Sequence, residues 1–419
     1  MTGTTPAVVR AALEEAHRRG WAGLLTAAAR VTRDLDLAEE CVQEASATAI
    51  EAWSTGGVPD DPVAWLATVA RRRALDAVRR AMTLRRRLPL LVEPDPSPSP
   101  SEPRDTPDHR LDLVFLCCHP ALAPESQLAL TLRLVCGIPT ADAARLLLVP
   151  EATMAARLTR AKRKVHDARI PFRTPPAAEL PHRLLMVLAT VHLVFTAGHT
   201  APSGAGLLQP DLLDRAIELG RMLVAVLPDD PEVQGLLALM LATDARRSTR
   251  VDAAGALVPL ADQDRSRWDR AMIEEARDRA LRALRPRPGR FALQAAIAVL
   301  HAEAPSTAAT DWRQIRALYD ALVRAWPSPM VLLARAVATA EVDGPDAALI
   351  ELDRLRDDPQ LARNHHLAAT RAELLHRSGQ PEEAVVACDR ALALVENAAE
   401  RDHLLTRRAV YAGVETSRR

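Results

Sequence analysis

The sequence predicts an all-α protein, and three observations support this fold class. Aromatic residues make up only 3% of the 419 residues, and Val, Ile and Thr do not alternate with polar residues over any long stretch, which disfavours a β-sandwich or barrel. Ala, Leu and Arg, all good helix formers, dominate the composition. Apolar residues recur at steps of three and four, which is the period of one helix face.

Composition and breaker residues divide the chain into three parts. Residues 94–110 contain six prolines and three serines in 17 positions, a composition typical of an extended, solvated linker. A shorter proline-containing break covers 173–181. We therefore predict a helical domain at 1–92, a linker at 93–108, a second helical domain at 109–172 and a third at 181–419.

The first domain is predicted to be built from amphipathic helices. Asp34 and Asp36 interrupt its apolar stripe as possible caps, and Asp61 followed by Pro62 is a typical helix start. The stripe consists of Leu24, Ala28, Val31, Leu35, Ala38, Val42, Ala45, Ala49 and Trp53.

The second domain contains a segment that reads as helix–turn–helix, GIPTADAARLLLVPEATMAARLTRAKRKV. Thr140 is predicted to cap its first helix, with Ala144 and Leu147 facing inward. Leu148 occupies the turn position where many such motifs have Gly, and a plain helical hairpin is the alternative. The second helix is predicted to bury Met154, Leu158, Ala161 and Val165.

The third domain is repetitive. Two helical segments align with Pro345 on Pro381, a period of 36 residues, close to the tetratricopeptide period of about 34. The alignment places Ala336 on Ala372, Ala348 on Ala384 and Asp353 on Asp389. A helical repeat array is predicted, with an irregular helical bundle as the alternative.

The formal net charge is zero, yet the charges are unevenly distributed. Residues 71–87 and 157–169 are strongly basic and rich in Arg, which suits phosphate binding. Two basic helices on separate domains suggest two contacts on one polyanion, whereas a solvated face is the alternative for each. In the first domain Glu39, Glu40, Gln43, Glu44 and Glu51 form an acidic surface, either simply solvated or a docking site for a basic protein.

No catalytic, metal or membrane signature stands out. The chain has five cysteines, and Cys117-Cys118-His119 lacks the spacing of a zinc site, so buried apolar positions are the preferred interpretation. No Gly-rich phosphate loop or nucleophile elbow is present, and the charged segment DQDRSRWD is interpreted as ion-paired. We predict no enzyme activity, no cofactor and no metal. No apolar segment is long enough to span a membrane, and a cytoplasmic location is expected.

Taken in order, these segments resemble an extracytoplasmic-function (ECF) sigma factor of the sigma-70 family. DLDLAEECVQEASATAIEAW resembles the helix of the second conserved region that docks on the β′ clamp helices of RNA polymerase, and DDPVAWLATVARRRALDAVRR resembles the adjacent −10 segments. Residues 130–165, which include the helix–turn–helix segment, resemble the fourth region, which reads the −35 element and touches the β flap. CCHPAL, GLLALMLATDARRSTRV and DQDRSRWDRAMI resemble a narrower group with a tetratricopeptide-like C-terminal extension.

The resemblance implies roles for residues of this chain. Polymerase binding is expected at Glu39, Glu40, Gln43 and Glu44. Contacts near the −10 element are expected from Trp65, Arg71, Arg72, Arg73, Arg79 and Arg80, with core packing as the alternative for Trp65. Contacts at the −35 element are expected from Glu151, Thr153, Arg157, Arg160, Lys162, Arg163 and Lys164.

The expected function is promoter-specific transcription initiation with core RNA polymerase and promoter DNA as partners. The C-terminal extension is expected to regulate activity, either by inhibiting it or by supplying required contacts, and to be a possible receptor for a signal protein or ligand. One alternative is a DNA-binding regulator with a helical-repeat sensor that never joins polymerase. The other is a repeat scaffold whose basic helices bind RNA or acidic proteins.

Overall fold

The structure, a computed structural model, describes residues 5–87, 110–176, 179–201, 203–204, 206–362 and 364–413. Within these ranges the regular secondary structure is helical, apart from isolated β-bridges joining Gly204 to Asn397 and Val251 to Leu257. The all-α prediction is confirmed. The α-helices are α1 Pro6–Thr32, α2 Leu35–Gly56, α3 Pro62–Arg87, α4 Arg110–Cys117, α5 Pro124–Leu130, α6 Thr140–Leu146, α7 Glu151–Asp167, α8 Leu180–His199, α9 Pro210–Val226, α10 Pro231–Asp244, α11 Arg270–Ala283, α12 Arg290–Glu303, α13 Trp312–Ala325, α14 Pro329–Asp343, α15 Pro345–Asp353, α16 His365–Arg377, α17 Pro381–Leu394 and α18 Ala398–Tyr411.

The helices form two compact units, the first ending at Thr190 and the second beginning at Val191. In the first unit α1, α2 and α3 pack against one another. Asp34 caps α2 by accepting hydrogen bonds from the backbone N–H groups of Asp36 and Leu37. Asp61 likewise accepts from the N–H of Ala64 at the start of α3. The predicted helix starts at Asp34 and Asp61 are confirmed, but Asp36 is not a cap, because it lies inside the first turn of α2. The predicted apolar stripe is buried except at half-buried Val31.

The helix–turn–helix is formed by α6 and α7. Leu148, in the turn between them, has φ of 51°, which is the left-handed conformation that Gly adopts at lowest cost. In α7 the four predicted inward residues are all buried, so this part of the prediction is confirmed. Two details of α6 were wrong. Pro139 is the cap residue and Thr140 the first helical residue, and Leu146 is buried where Leu147 is only half-buried.

The five cysteines are all buried without disulfides. Burial, and then the neighbouring Cys118 and Cys136, raise the pKa of the Cys117 thiol well above its usual value. A thiol with a raised pKa is a poor nucleophile and metal ligand at neutral pH. The interpretation of these cysteines as apolar core residues is therefore confirmed.

The second unit contains the predicted repeat. Pro345 and Pro381 open α15 and α17 respectively, and the aligned alanines of the two hairpins are buried. The aligned aspartates also play equivalent parts, because Asp353 accepts from Arg371 at 2.6 Å and Asp389 accepts from Arg408 at 2.5 Å. The alignment therefore corresponds to a repeated packing arrangement as well as to a repeated composition.

Several predictions lie outside the described part of the chain. The linker at 93–108 is one, and the side chains of 84–87 at the end of the basic helix are another. The domain boundaries 1–92, 109–172 and 181–419 remain predictions. Among the described helices, none has the length and apolar character needed to cross a membrane.

Candidate functional site

The predicted polymerase-binding surface lies on α2 and is not uniformly exposed. Glu40 and Gln43 are exposed, and Glu44 is half-buried. Glu39, in contrast, is only 7% exposed. The apolar periodicity of α2 placed Glu39 on the same polar face as its neighbours, so this burial must come from another part of the chain.

The residues that cover Glu39 come from the second predicted domain. Lys162 of α7 donates hydrogen bonds to the carboxylates of Asp36, at 2.7 Å, and Glu39. Arg133, in a π-helical turn that follows α5, forms a second ion pair with Glu39 at 2.8 Å. The Arg133 guanidinium also stacks over the Trp21 ring of α1, with its carbon 5.3 Å from the ring centroid. We call Glu39, Asp36, Arg133 and Lys162 the α2–α7 ion cluster.

The α2–α7 ion cluster is electrostatically balanced. Burial alone would lower the pKa of Lys162, but hydrogen bonds and negative charge from Asp36 and Glu39 raise the pKa above its usual value. Lys162 is therefore a charged ammonium group whose side chain is 13% exposed. Most isolated surface ion pairs contribute little to stability, whereas pairs shielded from water interact more strongly.

The remaining predicted −35 residues line the outer faces of α7. Glu151 and Thr153 lie near its beginning and are exposed, as are Arg160, Arg163 and Lys164, while Arg157 is half-buried. Arg163 forms an exposed pair with Asp167 at 3.5 Å. The basic face of α7 is therefore exposed to solvent, except that Lys162 is bound to acidic residues of α2.

The predicted −10 residues lie along α3. Arg71, Arg72, Arg73, Arg79 and Arg80 are all exposed. Arg73 approaches Glu44 of α2, with 3.7 Å between Nε and a carboxylate oxygen. Arg79 pairs with Asp76 of its own helix at 3.5 Å. Two residues predicted to serve different partners, Glu44 and Arg73, therefore neighbour each other.

Trp65, for which DNA contact and core packing were the two alternatives, is packed against the core but remains partly accessible. Its ring packs edge-on against the buried Trp53, with 5.5 Å between ring centroids. The side chain is nevertheless half-buried rather than enclosed. Packing on Trp53 fixes the ring, and the DNA contact stays a prediction.

Sequence reasoning missed Arg133 and Asp36 as members of this site. Arg133 carries no local signal, because it stands alone in an apolar segment, LALTLRLVC. Lys162 was assigned to DNA with its basic neighbours, yet it directly follows Ala161 of the buried stripe. That position at the edge of the stripe is the one signal that could have placed it near the core.

Three segments of the chain match known protein families. Residues 21–83 match sigma-70 region 2, residues 112–165 match sigma-70 region 4, and residues 183–284 match a family of unknown function, DUF6596. The order of the first two agrees with the resemblance to the second and fourth sigma regions that the sequence showed.

Two proteins and one solved structure are also similar to this chain. An uncharacterised protein of Rhizobium meliloti (strain 1021) is 42% identical over 400 residues, covering 92% of this chain and 94% of the relative. The probable ECF RNA polymerase sigma factor SigI of Mycobacterium tuberculosis is 31% identical over 167 residues, which is 39% of this chain and 56% of SigI. The crystal structure of yeast Tom70 aligns with 97% of this chain and 85% of its own, at 12% identity and a TM-score of 0.31.

Proposed function

The chain belongs to the ECF type of the sigma-70 family and carries a helical C-terminal extension, and from this premise we propose that it binds core RNA polymerase and directs promoter-specific initiation. The observation that carries the proposal is the presence of both sigma regions, in the required order, within one compact unit. A sigma factor acts by binding, so no catalytic residue is proposed. We place its action in the cytoplasm, where its proposed partners are.

Polymerase docking is proposed for the exposed part of α2. Glu40 and Gln43 offer a carboxylate and an amide to solvent, and Glu44 lies beside them. Such a polar surface suits a basic partner, in line with the β′ clamp helices that the resemblance implies. Glu39 can join this surface only when Lys162 and Arg133 release it.

Promoter binding is proposed for the basic faces of α3 and α7. The exposed arginines of α3 would hold phosphates near the −10 element, with Trp65 beside the melted strand. In α7 the exposed residues at its beginning, Glu151 and Thr153, would face base edges, because a recognition helix enters the major groove by its N-terminal part. Arg157, Arg160, Arg163 and Lys164 would contact phosphates.

The α2–α7 ion cluster implies that the described arrangement is a closed state. Lys162 cannot contact DNA phosphate and the Asp36 and Glu39 carboxylates at the same time. Glu39 likewise cannot meet a basic group of polymerase while it is 7% exposed. Simultaneous binding of polymerase and promoter by all the predicted residues therefore requires α2 and α7 to separate.

The C-terminal extension is proposed to regulate these interactions. It either restrains the first unit or supplies contacts that initiation needs, and the two possibilities predict opposite effects of its removal. The boundary between the two units, which lies within α8, suggests where to divide the chain. Ending it near 180 would remove Arg183, which donates to the Phe115 carbonyl in the first unit, so Thr190 is the better end point.

Run-off transcription tests the proposal. Purified core polymerase and a pool of genomic fragments are incubated with the full chain or with a chain ending at Thr190. Discrete transcripts that need the protein would support the proposal, and the two lengths would reveal the sign of the C-terminal effect. Tight DNA binding without polymerase binding or transcripts would favour the DNA-binding regulator instead.

A further inference from the structure

Two neighbouring histidines at the beginning of α16 lie against a glutamate of α18. The Nε2 atom of His365 is 3.5 Å from a carboxylate oxygen of Glu400. The ring centroids of His365 and His366 are 4.0 Å apart, with 45° between the ring planes. One nitrogen or oxygen atom from each of the three side chains lies within 4.8 Å of the other two. We call these three residues the α16–α18 triad.

No metal site was predicted from the sequence, and the triad shows why. Glu400 lies far from the histidine pair along the chain. Consecutive residues of a helix also point about 100° apart, which disfavours a shared ligand. In the structure the two rings nevertheless lie close together, and the fold brings the carboxylate of the third residue beside them.

Capping interactions fix the backbone that carries the triad. Asn364 caps α16 by accepting a hydrogen bond from the His366 N–H at 2.8 Å. Asn397 caps α18 and accepts from the Glu400 N–H at 3.2 Å. Asn397 is itself fully buried, and its amide donates to the Ala201 carbonyl at 2.9 Å. The side chains of the triad therefore extend from two anchored helix starts.

The helices α16 and α18 are also joined near their opposite ends. The Tyr411 hydroxyl donates to the Glu373 carboxylate at 2.8 Å, and Arg407 pairs with the same carboxylate. Between these helices, α17 packs against both of them. The separation of the triad's members is therefore set by the packing of whole helices and not by surface side chains alone.

The carboxylate of the triad is not bound by an arginine. In the same hairpins Asp389, for example, is paired with Arg408. Among the residues that the structure describes, Glu400 forms an ion pair with His365 alone. Burial would raise the pKa of the Glu400 carboxyl, but the neighbouring histidines and the charge of Arg250 hold it below its usual value. The group is therefore ionised at neutral pH, as a carboxylate ligand must be.

The triad is partly shielded and partly open. The side chains of His365 and Glu400 are 19% and 13% exposed. His366, in contrast, is exposed to solvent. Shielding strengthens the interaction of a carboxylate with a cation. The exposed ring leaves a route by which an ion can enter from solvent.

We propose that His365, His366 and Glu400 bind a Zn²⁺ ion, with water completing its coordination. Imidazole nitrogens and carboxylate oxygens are both ligands that Zn²⁺ accepts. Zinc–ligand bonds of about 2.1 Å place neighbouring tetrahedral ligands roughly 3.4 Å apart. The distance between His365 and Glu400 already has this value, and rotation of the exposed His366 ring can close the remaining separations. Mg²⁺ and Ca²⁺ prefer all-oxygen sites and fit this donor set poorly.

A bound ion would connect the last two repeats of the second unit directly. It would join the beginning of α16 to the beginning of α18, so the stability of these hairpins would depend on the metal. The inference concerns the C-terminal extension alone and does not depend on the proposed function.

Calorimetric titration of the full chain tests the proposal. The protein is treated with a chelator, freed of it, and titrated with zinc chloride or with magnesium chloride. We expect one Zn²⁺ ion per chain with a dissociation constant of about 10 μM or tighter, and no comparable binding of Mg²⁺. Absence of Zn²⁺ binding, or equal binding of the two ions, overturns the proposal.

Variants assign the ligands. His366→Gln and Glu400→Gln should each weaken Zn²⁺ binding about tenfold or more. Because His366 is exposed, its variant should keep the unfolding temperature of the metal-free chain. His166→Gln, which removes an exposed imidazole from α7, is the matched control and should bind normally. Equal Zn²⁺ affinity in His366→Gln and the unmodified chain would overturn the assignment.

The five cysteines are the other candidate zinc ligands, and cobalt substitution separates them from the triad. The Co²⁺-loaded chain should show visible d–d absorption without a thiolate-to-cobalt charge-transfer band. Appearance of that band would place the metal on cysteine and overturn the proposal. None of these measurements uses polymerase or DNA, so their failure would leave the proposed sigma-factor activity untouched.

Discussion

The Nζ atom of Lys162 lies 2.7 Å from the Oδ1 atom of Asp36, although 126 residues separate them in the chain. The first belongs to the helix proposed to enter the major groove, and the second lies beside the surface proposed to dock on polymerase. In the ion cluster formed with Glu39 and Arg133, Lys162 of the proposed DNA-binding helix is bound by acids of α2. The proposed polymerase-binding and DNA-binding surfaces therefore contact each other.

Releasing the α2–α7 ion cluster should expose the docking surface. Lys162→Ala removes two of its ion pairs, and we expect the affinity for core polymerase to rise roughly tenfold if the closed state is favoured by about 1–2 kcal/mol. Fluorescence anisotropy with labelled protein measures this. Lys164→Ala, an exposed neighbour with the same loss of charge, is the control. Identical polymerase affinity for the two variants would contradict the closed-state proposal.

The exposed and buried acids of α2 should respond differently to charge reversal. Glu40→Lys should weaken polymerase binding about tenfold without lowering the unfolding temperature, because Glu40 is exposed. Glu39→Lys should instead lower the unfolding temperature by several degrees, since it places a third cation beside Lys162 and Arg133. Calorimetry and a polymerase pull-down separate the two effects. Normal binding by Glu40→Lys would remove the docking role.

Phosphate contacts of α7 should be visible in the salt dependence of promoter binding. Arg157→Ala with Arg160→Ala removes two cations, so the slope of log K against log salt concentration should decrease in magnitude by about 2. Arg10→Ala with Arg30→Ala changes the net charge equally on α1, where both side chains are exposed. Electrophoretic mobility shifts over a salt series provide the slopes. A slope that matches the control pair would exclude these contacts.

The second unit should lose stability in mild acid. Burial, and then the charge of Arg290, lower the pKa of His192 to about 4, and His301 is lowered similarly. Because these folded-state values lie below the usual 6.5, the unfolded chain binds protons first, and stability falls as pH drops from about 7 towards 4. Each histidine should contribute about 1.4 kcal/mol for each pH unit in this window.

His192→Leu should make that pH dependence shallower. Its ring packs edge-on against Phe291, with 5.4 Å between centroids, so an apolar replacement suits the surroundings. Urea unfolding at pH 7, 6 and 5 measures the slope. An unchanged slope in the variant would show that His192 is protonated equally in both states.

Replacing glycine by alanine should destabilise the protein at one position and stabilise it at another. A Cβ added at Gly235 of α10 would lie 2.5 Å from the Ala292 backbone nitrogen of α12, so Gly235→Ala should cost roughly 2–4 kcal/mol. A Cβ added at Gly23 of α1 would have no neighbouring atom within 4 Å, so Gly23→Ala should stabilise the folded protein by about 1 kcal/mol. Thermal unfolding compares the two variants. Equal effects would contradict the close approach of α10 and α12.

The sequence was most informative where structure depends on neighbouring residues. Asp34, Asp61, Pro345 and Pro381 mark helix starts because capping and the proline ring act over one turn. The buried stripe of α7 followed from its period for the same reason. Thr140 was placed wrongly by one residue, since Pro139 already supplies the extended backbone at that cap.

The candidate site could be predicted only in part, because its key contacts join distant segments. Periodicity assigns a residue to a face of its own helix, but it does not reveal which remote segment covers that face. For this reason Glu39 was predicted to be exposed but is buried, and Arg133 was not predicted as a member of the site.

The repeated ion pair of the last hairpins suggests how this half of the protein can change length during evolution. Asp353 pairs with an arginine 18 residues later, and Asp389 with one 19 residues later, so each hairpin supplies an acid for the first helix of its successor. Inserting or deleting a whole 36-residue segment preserves this complementarity, whereas other lengths leave an acid facing the wrong residue. The module is therefore expected to grow and shrink in whole repeats, with each new junction already compatible with the old one.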